Sequence, residues 1–244
     1  MRIGLLTTRS HPLLGRLLEH LADRREVGAH QTTRSDEHQL TVICDRKSLG
    51  RTDVDRFAER TGGGLPPVAV NWTDYDAVDV DDHNGVDTTE IVRDRRIDLL
   101  VNAGTPRRVG PALLAAPRLG TLNVHPGILP KYRGASCCEW AILNDDPIGV
   151  TAHFIDEGLD SGPIIFTRTL PVRAGQSYSD IRVRLYRLWI EACAEAINEV
   201  SARQLTPSML PPQVDATPFG PIPDALFAQV VDKVRRGAYT PAVT

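Results

Sequence analysis

Two residues set two apart, Asn123 and His125, carry the strongest chemical signal in this chain of 244 residues. They follow a short run, Leu119-Gly120-Thr121-Leu122, that reads as a strand, and Pro126, Gly127 and Pro130 then break it and open a loop. Alternation along a strand puts residues i and i+2 on one face, so an amide donor and a titratable imidazole point the same way. Further on, Asp156-Glu157-Gly158-Leu159-Asp160-Ser161-Gly162-Pro163 is an acidic loop able to bring a carboxylate back to that His. An amide, an imidazole and a carboxylate that converge can stabilise an oxyanion and move a proton near neutral pH. Asp160 is the carboxylate expected to orient His125 and support its protonated form. Asp156 and Glu157 are read as acids that shape the loop. Each residue also has a plain structural alternative: His125 as a core or surface imidazole, Asn123 as a turn residue, Asp160 as a loop acid held by backbone N–H groups. His153 shares a strand face with Thr151 and reads either as a supporting donor that lines the site or as a structural residue.

Such a group needs a rigid frame. Residues 2–7 read as a buried strand, and 12–22 as a helix with leucines at positions 13, 14, 17, 18 and 21. Residues 39–44 read as a second strand, 53–60 as a polar helix stopped by glycines, and 68–70 as a short third strand. The acidic stretch 74–85 reads as a surface loop, 88–95 as a helix and 98–103 as a fully buried strand. After Gly149 come two strands, 150–155 and 163–172, with a tight connection, then a long amphipathic helix over 179–201. A proline-rich tail ends in a short helix over 224–236. Alternating strands and helices imply a parallel sheet covered on both faces. The expected fold is α/β: a Rossmann-like doubly wound, mostly parallel sheet over residues 1–200, with a small C-terminal extension over 201–244.

The composition, 41% hydrophobic and 24% charged, is that of an ordinary globular protein, and the net charge of −3 gives no nucleic-acid footprint. No apolar run approaches the roughly 18 residues of a membrane span. Met1-Arg2-Ile3-Gly4-Leu5-Leu6 reads as a first strand and not as a signal peptide. Cys44, Cys137, Cys138 and Cys193 lack metal-ligand spacing and are expected to be free thiols in a cytoplasmic protein. The Cys137-Cys138 pair is read as a helix start, with redox chemistry as the alternative.

The segment Asn123-Val124-His125-Pro126-Gly127-Ile128-Leu129-Pro130-Lys131-Tyr132-Arg133-Gly134, with the acidic loop after it, closely resembles the folate-dependent formyltransferases. That family includes glycinamide ribonucleotide, methionyl-tRNA and amino-sugar N-formyltransferases. Its shared pattern is Asn-x-His, then Leu-Pro-x-(Tyr/Phe)-(Arg/Lys)-Gly, then Asp-x-Gly-x-Asp-x-Gly-Pro. The resemblance runs over nearly the whole chain and is strongest over residues 98–171. It implies that residues 1–200 are a formyltransferase catalytic core, that 10-formyltetrahydrofolate is the donor, and that Asn123, His125 and Asp160 hold the three catalytic positions around a tetrahedral intermediate. A donor pocket is implied by resemblance alone. Its walls would be the run after the fourth strand (Arg107, Arg108, Val109), the loop residues Ile128 and Leu129, and Ile155, Asp156, Glu157 and Gly158. The family usually has an apolar residue where Arg108 stands.

The implied acceptor is the primary amine of a small molecule, an amino sugar (free or nucleotide-linked) or an amine of specialised metabolism. No nucleic-acid or membrane partner is expected, and a homodimer is left open. For a nucleotide-linked acceptor, Arg9, Arg107 or Arg108 would meet the phosphates. Four alternatives stand beside it. In place of the glycine-rich phosphate loop of glycinamide ribonucleotide formyltransferase this chain has Thr7-Thr8-Arg9-Ser10-His11-Pro12. The barrel domain of methionyl-tRNA formyltransferase is not expected in the stretch after Ser201. Formyltetrahydrofolate hydrolase carries a His where Pro126 stands. In a non-catalytic Rossmann-like binding module, Asn123, His125 and Asp160 need not converge.

Overall fold

Strands β1 (Arg2–Thr7), β2 (Gln39–Asp45), β3 (Asp76–Val80), β4 (Leu99–Asn102) and β5 (Thr121–His125) run parallel, and β6 (Gly149–Phe154) and β7 (Ile164–Thr169) close the sheet antiparallel. The computed structural model describes residues 1–28 and 38–241. Helices α1 (Leu14–Gly28), α2 (Arg51–Thr61), α3 (Val86–Asp94), α4 (Pro111–Leu114), α5 (Cys137–Leu143), α6 (Tyr178–Arg203) and α7 (Asp224–Arg235) fill the connections. The seven strands lie in the order β3-β2-β1-β4-β5-β6-β7. This is the mostly parallel, doubly wound α/β sheet that the sequence implies.

Continuous apolar runs suit strands that are covered on both faces. In β4, Leu99 and Val101 enter the larger core, under α1, α5 and α6, while Leu100 points to a smaller core with Val92 of α3 and Leu113 of α4. The chain winds from β1 to β2 and β3, then returns to β4 and β5. The strand order reverses between β1 and β4, and a crevice opens beyond the carboxyl ends at such a point.

The third strand departs from the sequence expectation. Residues 68–70 are not a strand; β3 lies at Asp76–Val80, inside the stretch that reads as an acidic loop. It is an edge strand, so its outward acids need no apolar cover. Asp76 pairs with Arg95 and accepts from Thr41 Oγ1, and Asp79 takes a bidentate contact from Arg9. Other boundaries move less: α1 starts at Leu14 and passes residue 22, and β7 ends at Thr169. His125 is the last residue of β5, at the strand end where the sequence places it.

Helix α6 ties the two halves together. Ser177 and Asp180 cap it reciprocally, and Trp189 Nε1 donates to the carbonyl of Val124 at 2.7 Å, so α6 grips β5 between Asn123 and His125. Between α2, α5 and α6 lies a buried charge cluster. Glu139, fully buried, sits 3.5 Å from Arg182 and 3.7 Å from Arg60, and Tyr178 donates its hydroxyl to it. All four cysteines are free and buried, and burial pushes the Cys137 and Cys138 thiols up to about 12, which keeps them protonated at neutral pH. Among the described residues no helix is long and apolar enough to cross a membrane.

Removing one member of a buried ion cluster leaves the others unpaired, at a cost of about 3–5 kcal/mol. Glu139→Ala is expected to lower the unfolding free energy by about that amount in urea titration, because Arg182 loses its carboxylate. A loss below about 1 kcal/mol would show the cluster to be solvated.

Candidate active site

Strand register builds the site. Asn102 of β4 stands opposite Asn123 of β5, and Asn123 stands opposite His153 of β6. Three polar side chains therefore lie side by side on one face at the carboxyl end of the parallel strands. Their hydrogen bonds run in one direction. The backbone N–H groups of Gly104 and Thr105 donate to Asn102 Oδ1 at 3.1 and 3.0 Å. That leaves Asn102 Nδ2 to donate to Asn123 Oδ1 at 3.1 Å, and Asn123 Nδ2 to donate to His153 Nε2 at 3.0 Å. A carboxamide nitrogen carries two hydrogens, so Asn123 keeps one for a ligand. His153 Nδ1 is 2.8 Å from the carbonyl of Phe154 and must donate to it. His153 is thereby held neutral, and burial, reinforced by repulsion from His125, pushes its pKa down to about 4 against the pull of Asp160.

His125 sits behind this row. Its Nε2 lies 2.7 Å from the carbonyl of Tyr132, which only accepts, so this nitrogen bears hydrogen. The proton that comes and goes is therefore on Nδ1, which faces Asp160 Oδ2 at 3.4 Å. Gly127 makes the first contact possible: a Cβ there would stand 2.7 Å from both His125 Nε2 and the Tyr132 carbonyl oxygen. Burial lowers the His125 pKa from its ordinary value, while the Asp160 charge and the Tyr132 carbonyl oppose that shift. Asp160 Oδ2 also accepts from Gly134 N at 2.9 Å, and its Oδ1 is 3.8 Å from His153 Nε2. Asp160 adopts a left-handed backbone, φ +50, which a non-glycine residue takes up only when its surroundings impose it.

A cleft of about 140 Å³ opens in front of this group. Asn123, Asp160 and His153 line it with Asn102, Arg107, Arg108, Val109, Ile155, Asp156 and Gly158. Ile128, Leu129 and Glu157 do not. Leu129 is buried and its N–H is taken by Thr151 Oγ1 at 3.1 Å, while Glu157 is exposed. Both arginines have partners within the protein. Arg107 is committed to buried Asp45 at 2.5 Å and to Asp82 at 3.0 Å. Arg108 Nη2 donates to the carbonyl of Glu157 at 2.7 Å and so joins the two loops that flank the cleft. Arg9, the third candidate for a phosphate, pairs with Asp79 and lies 4.0 Å over the ring of Trp72. Asp156 Oδ1 accepts from Gly158 N and Ser161 Oγ inside its own loop.

The Asn102 side chain is the member of the row to which the sequence assigns no role. Its signal was a polar residue closing the otherwise apolar run Leu99-Leu100-Val101 just before Gly104. His153, expected either to line the site as a supporting donor or to be structural, lines the cleft, whereas His125 does not.

An amide row and a His–Asp pair at the carboxyl end of a doubly wound sheet stand where α/β folds of this kind place their ligand sites. Comparison with known proteins narrows this. The family model for formyl transferases matches residues 63–197, more than half of the chain, and the chain belongs to that family. A methionyl-tRNA formyltransferase of Synechocystis sp. is 34% identical over 122 residues, 50% of this chain and 37% of the relative. The chain thus spans well under two thirds of the length of that curated relative. Glycinamide ribonucleotide transformylase 1 from Symbiobacterium toebii superposes with a TM-score of 0.59 at 27% identity, covering 84% of this chain and 88% of that one. The formyltransferase PseJ from Anoxybacillus kamchatkensis, solved with a UDP-linked formamido sugar and tetrahydrofolate, has a TM-score of 0.51 at 19% identity, covering 74% and 85%.

His11, His125 and His153 are all depressed below 6.5 by burial, His11 and His153 to about 4. The unfolded chain then binds more protons than the folded one below about pH 6.5, so stability is complete above that value and is lost as pH falls toward about 4. The thermal midpoint is expected to drop steadily from pH 7 to pH 4.5, and His11→Asn should flatten the slope. A wild-type midpoint that stays level over that range would contradict the burial of these imidazoles.

Proposed function

We propose that the chain transfers a formyl group from 10-formyltetrahydrofolate to the primary amine of a small molecule. The observation that carries this is the convergence on one cleft of the Asn123 amide and an Asp160 carboxylate 3.4 Å from His125 Nδ1. Separation of those groups would have favoured a plain binding module. The cleft suits a folate ring: Val109, Ile155 and Leu159 offer apolar contact, and amides and backbone groups offer hydrogen bonds. Ligand sites commonly measure roughly 300–1,000 Å³. A cleft of about 140 Å³ takes only part of a folate, so the remainder lies outside or the flanking loops part. The donor supplies an electrophilic formyl carbon there.

The chain's own residues would do the rest. The free N–H of Asn123 donates to the formyl oxygen as it gains charge. Asp160 and His125 handle the proton that the attacking amine must lose. Neutral His125 accepts at Nδ1, and the imidazolium so formed lies between two acceptors, the Tyr132 carbonyl and Asp160. Holding amine and donor in one cleft converts a bimolecular encounter into a local one.

We favour an amino sugar or a specialised-metabolite amine as acceptor; among the structural neighbours PseJ was solved with a formamido sugar nucleotide. Aminoacylated tRNA is a second class, favoured by the methionyl-tRNA relative and opposed by a net charge of −3. A nucleotide-linked acceptor would need phosphate contacts other than Arg9 and Arg107, both already paired.

Titration calorimetry with 5-formyltetrahydrofolate, a stable donor mimic, is expected to show micromolar binding that persists in His125→Ala. With a screened amine as acceptor, His125→Ala should lose about 10²–10⁴-fold in turnover. Absence of binding at millimolar ligand would remove the donor assignment. Asn102→Leu should lower turnover about tenfold or more by freeing the Asn123 amide to turn, with little change in donor affinity. Unchanged turnover would show that the amide row is not needed.

A further inference from the structure

Between α6 and α7 the chain runs largely exposed, but Gln213 and Phe219 turn inward. Gln213 Nε2 donates to the carbonyl of Asp160 at 3.1 Å and to that of Gly162 at 2.6 Å. Its Oε1 accepts from Arg133 Nη2 at 3.1 Å, and the same nitrogen reaches the Val214 carbonyl at 2.9 Å. Arg133 is 6% exposed, its Nε has no hydrogen-bond partner, and among the described residues no carboxylate forms an ion pair with it. A buried guanidinium without a carboxylate is costly unless its remaining hydrogen bonds are firm. The Gln213 side chain and the backbone of Val214 are those bonds. Phe219 completes the strap: its N–H donates to the Arg133 carbonyl at 2.8 Å, and its carbonyl accepts from Ala135 N at 2.9 Å. Gly134, at φ +93, cannot be replaced without collision, since a Cβ would stand 2.2 Å from the Phe219 oxygen.

Asp160 is therefore held from two sides. Gly134 N fixes its carboxylate, and Gln213 fixes its carbonyl, while its φ of +50 is a conformation the loop would leave if released. We propose that Gln213 is a positioning residue, through which the C-terminal segment sets where the Asp160 carboxylate stands between His125 and His153. It touches neither imidazole and acts through Asp160. The consequence for rate rests on the formyl-transfer reading; the consequence for the histidines does not. The groups around the Asp160 carboxylate are His125 on β5, His153 on β6, Cys137 on α5, Asp156 in its own loop, and Arg107 and Arg108 across the cleft.

The test is the ring nitrogen NMR of the full-length protein against pH, without donor or acceptor, in wild type and Gln213→Met. Methionine keeps the volume and removes both donors. The expected result is a changed His125 Nδ1 resonance and a titration midpoint lower by about half a unit or more, because the carboxylate that opposes deprotonation has moved away. Should Gln213→Met fail to fold, Gln213→Asn, one methylene shorter, is read in the same way. In turnover, the same variants should lose about ten- to a hundredfold in kcat while binding 5-formyltetrahydrofolate within about twofold of wild type. Histidine spectra superimposable on those of wild type would overturn the proposal, whatever the protein transfers. Altered spectra from a protein that binds no folate would leave the positioning role standing and remove only the transfer chemistry.

Discussion

The lateral register of β4, β5 and β6 is the constraint on which the site depends. It places Asn102, Asn123 and His153 as direct neighbours across three strands. Because side chains alternate, a slip of one residue in either pairing would send a polar side chain into the apolar layer and break the row. The direction of the row is set by two backbone N–H groups of the loop after β4, which can only donate. From them follow the orientation of both amides, the tautomer of His153, and the one N–H of Asn123 left for a ligand. In the pairing of β6 with β7 the register shifts here: Ala152 faces Phe166 and His153 faces Ile164, so Ile165 of β7 is left without a partner residue.

Behind the row, burial and charge are balanced against each other. His125 is deep enough that solvation favours its neutral form, yet it is flanked by a carbonyl and a carboxylate that favour the charged one. A group so placed rests neutral near pH 7, with an acceptor beside each ring nitrogen. Gly127 permits this, since any side chain would wedge the imidazole from the Tyr132 carbonyl. Helix α6 supports the same strand from the other side through Trp189 and Val124.

Those loops are tied to one another rather than standing free. Arg108 reaches across the cleft to Glu157, Asp160 is braced by Gly134, and the C-terminal segment clasps both the Arg133–Gly134 turn and the acidic loop. Charged side chains that a linear reading offers to a phosphate are mostly spent on this bracing: Arg9 on Asp79, and Arg107 on Asp45 and Asp82.

Much of this was legible in the sequence. The apolar runs of β1, β2 and β4, the leucine spacing of α1 and the long α6 imply a wound parallel sheet. Asn123, His125 and the Asp160 loop are a local pattern whose spacing survives without knowledge of the fold. The acidic edge strand β3 was not legible, because only pairing with Arg9 and Arg95, distant in sequence, makes its polar residues tolerable there. Nor was the rank of the two histidines. Alternation puts Asn123 and His125 on one face, but the strand added beside them decides which imidazole meets the cleft: both are buried, and β6 sets His153 on the cleft wall while His125 does not line it. The same holds for Asn102 and Gln213, ordinary polar residues in the sequence. Strand pairing gave the first its place in the row, and the folding back of the C-terminal segment gave the second its contact with Asp160.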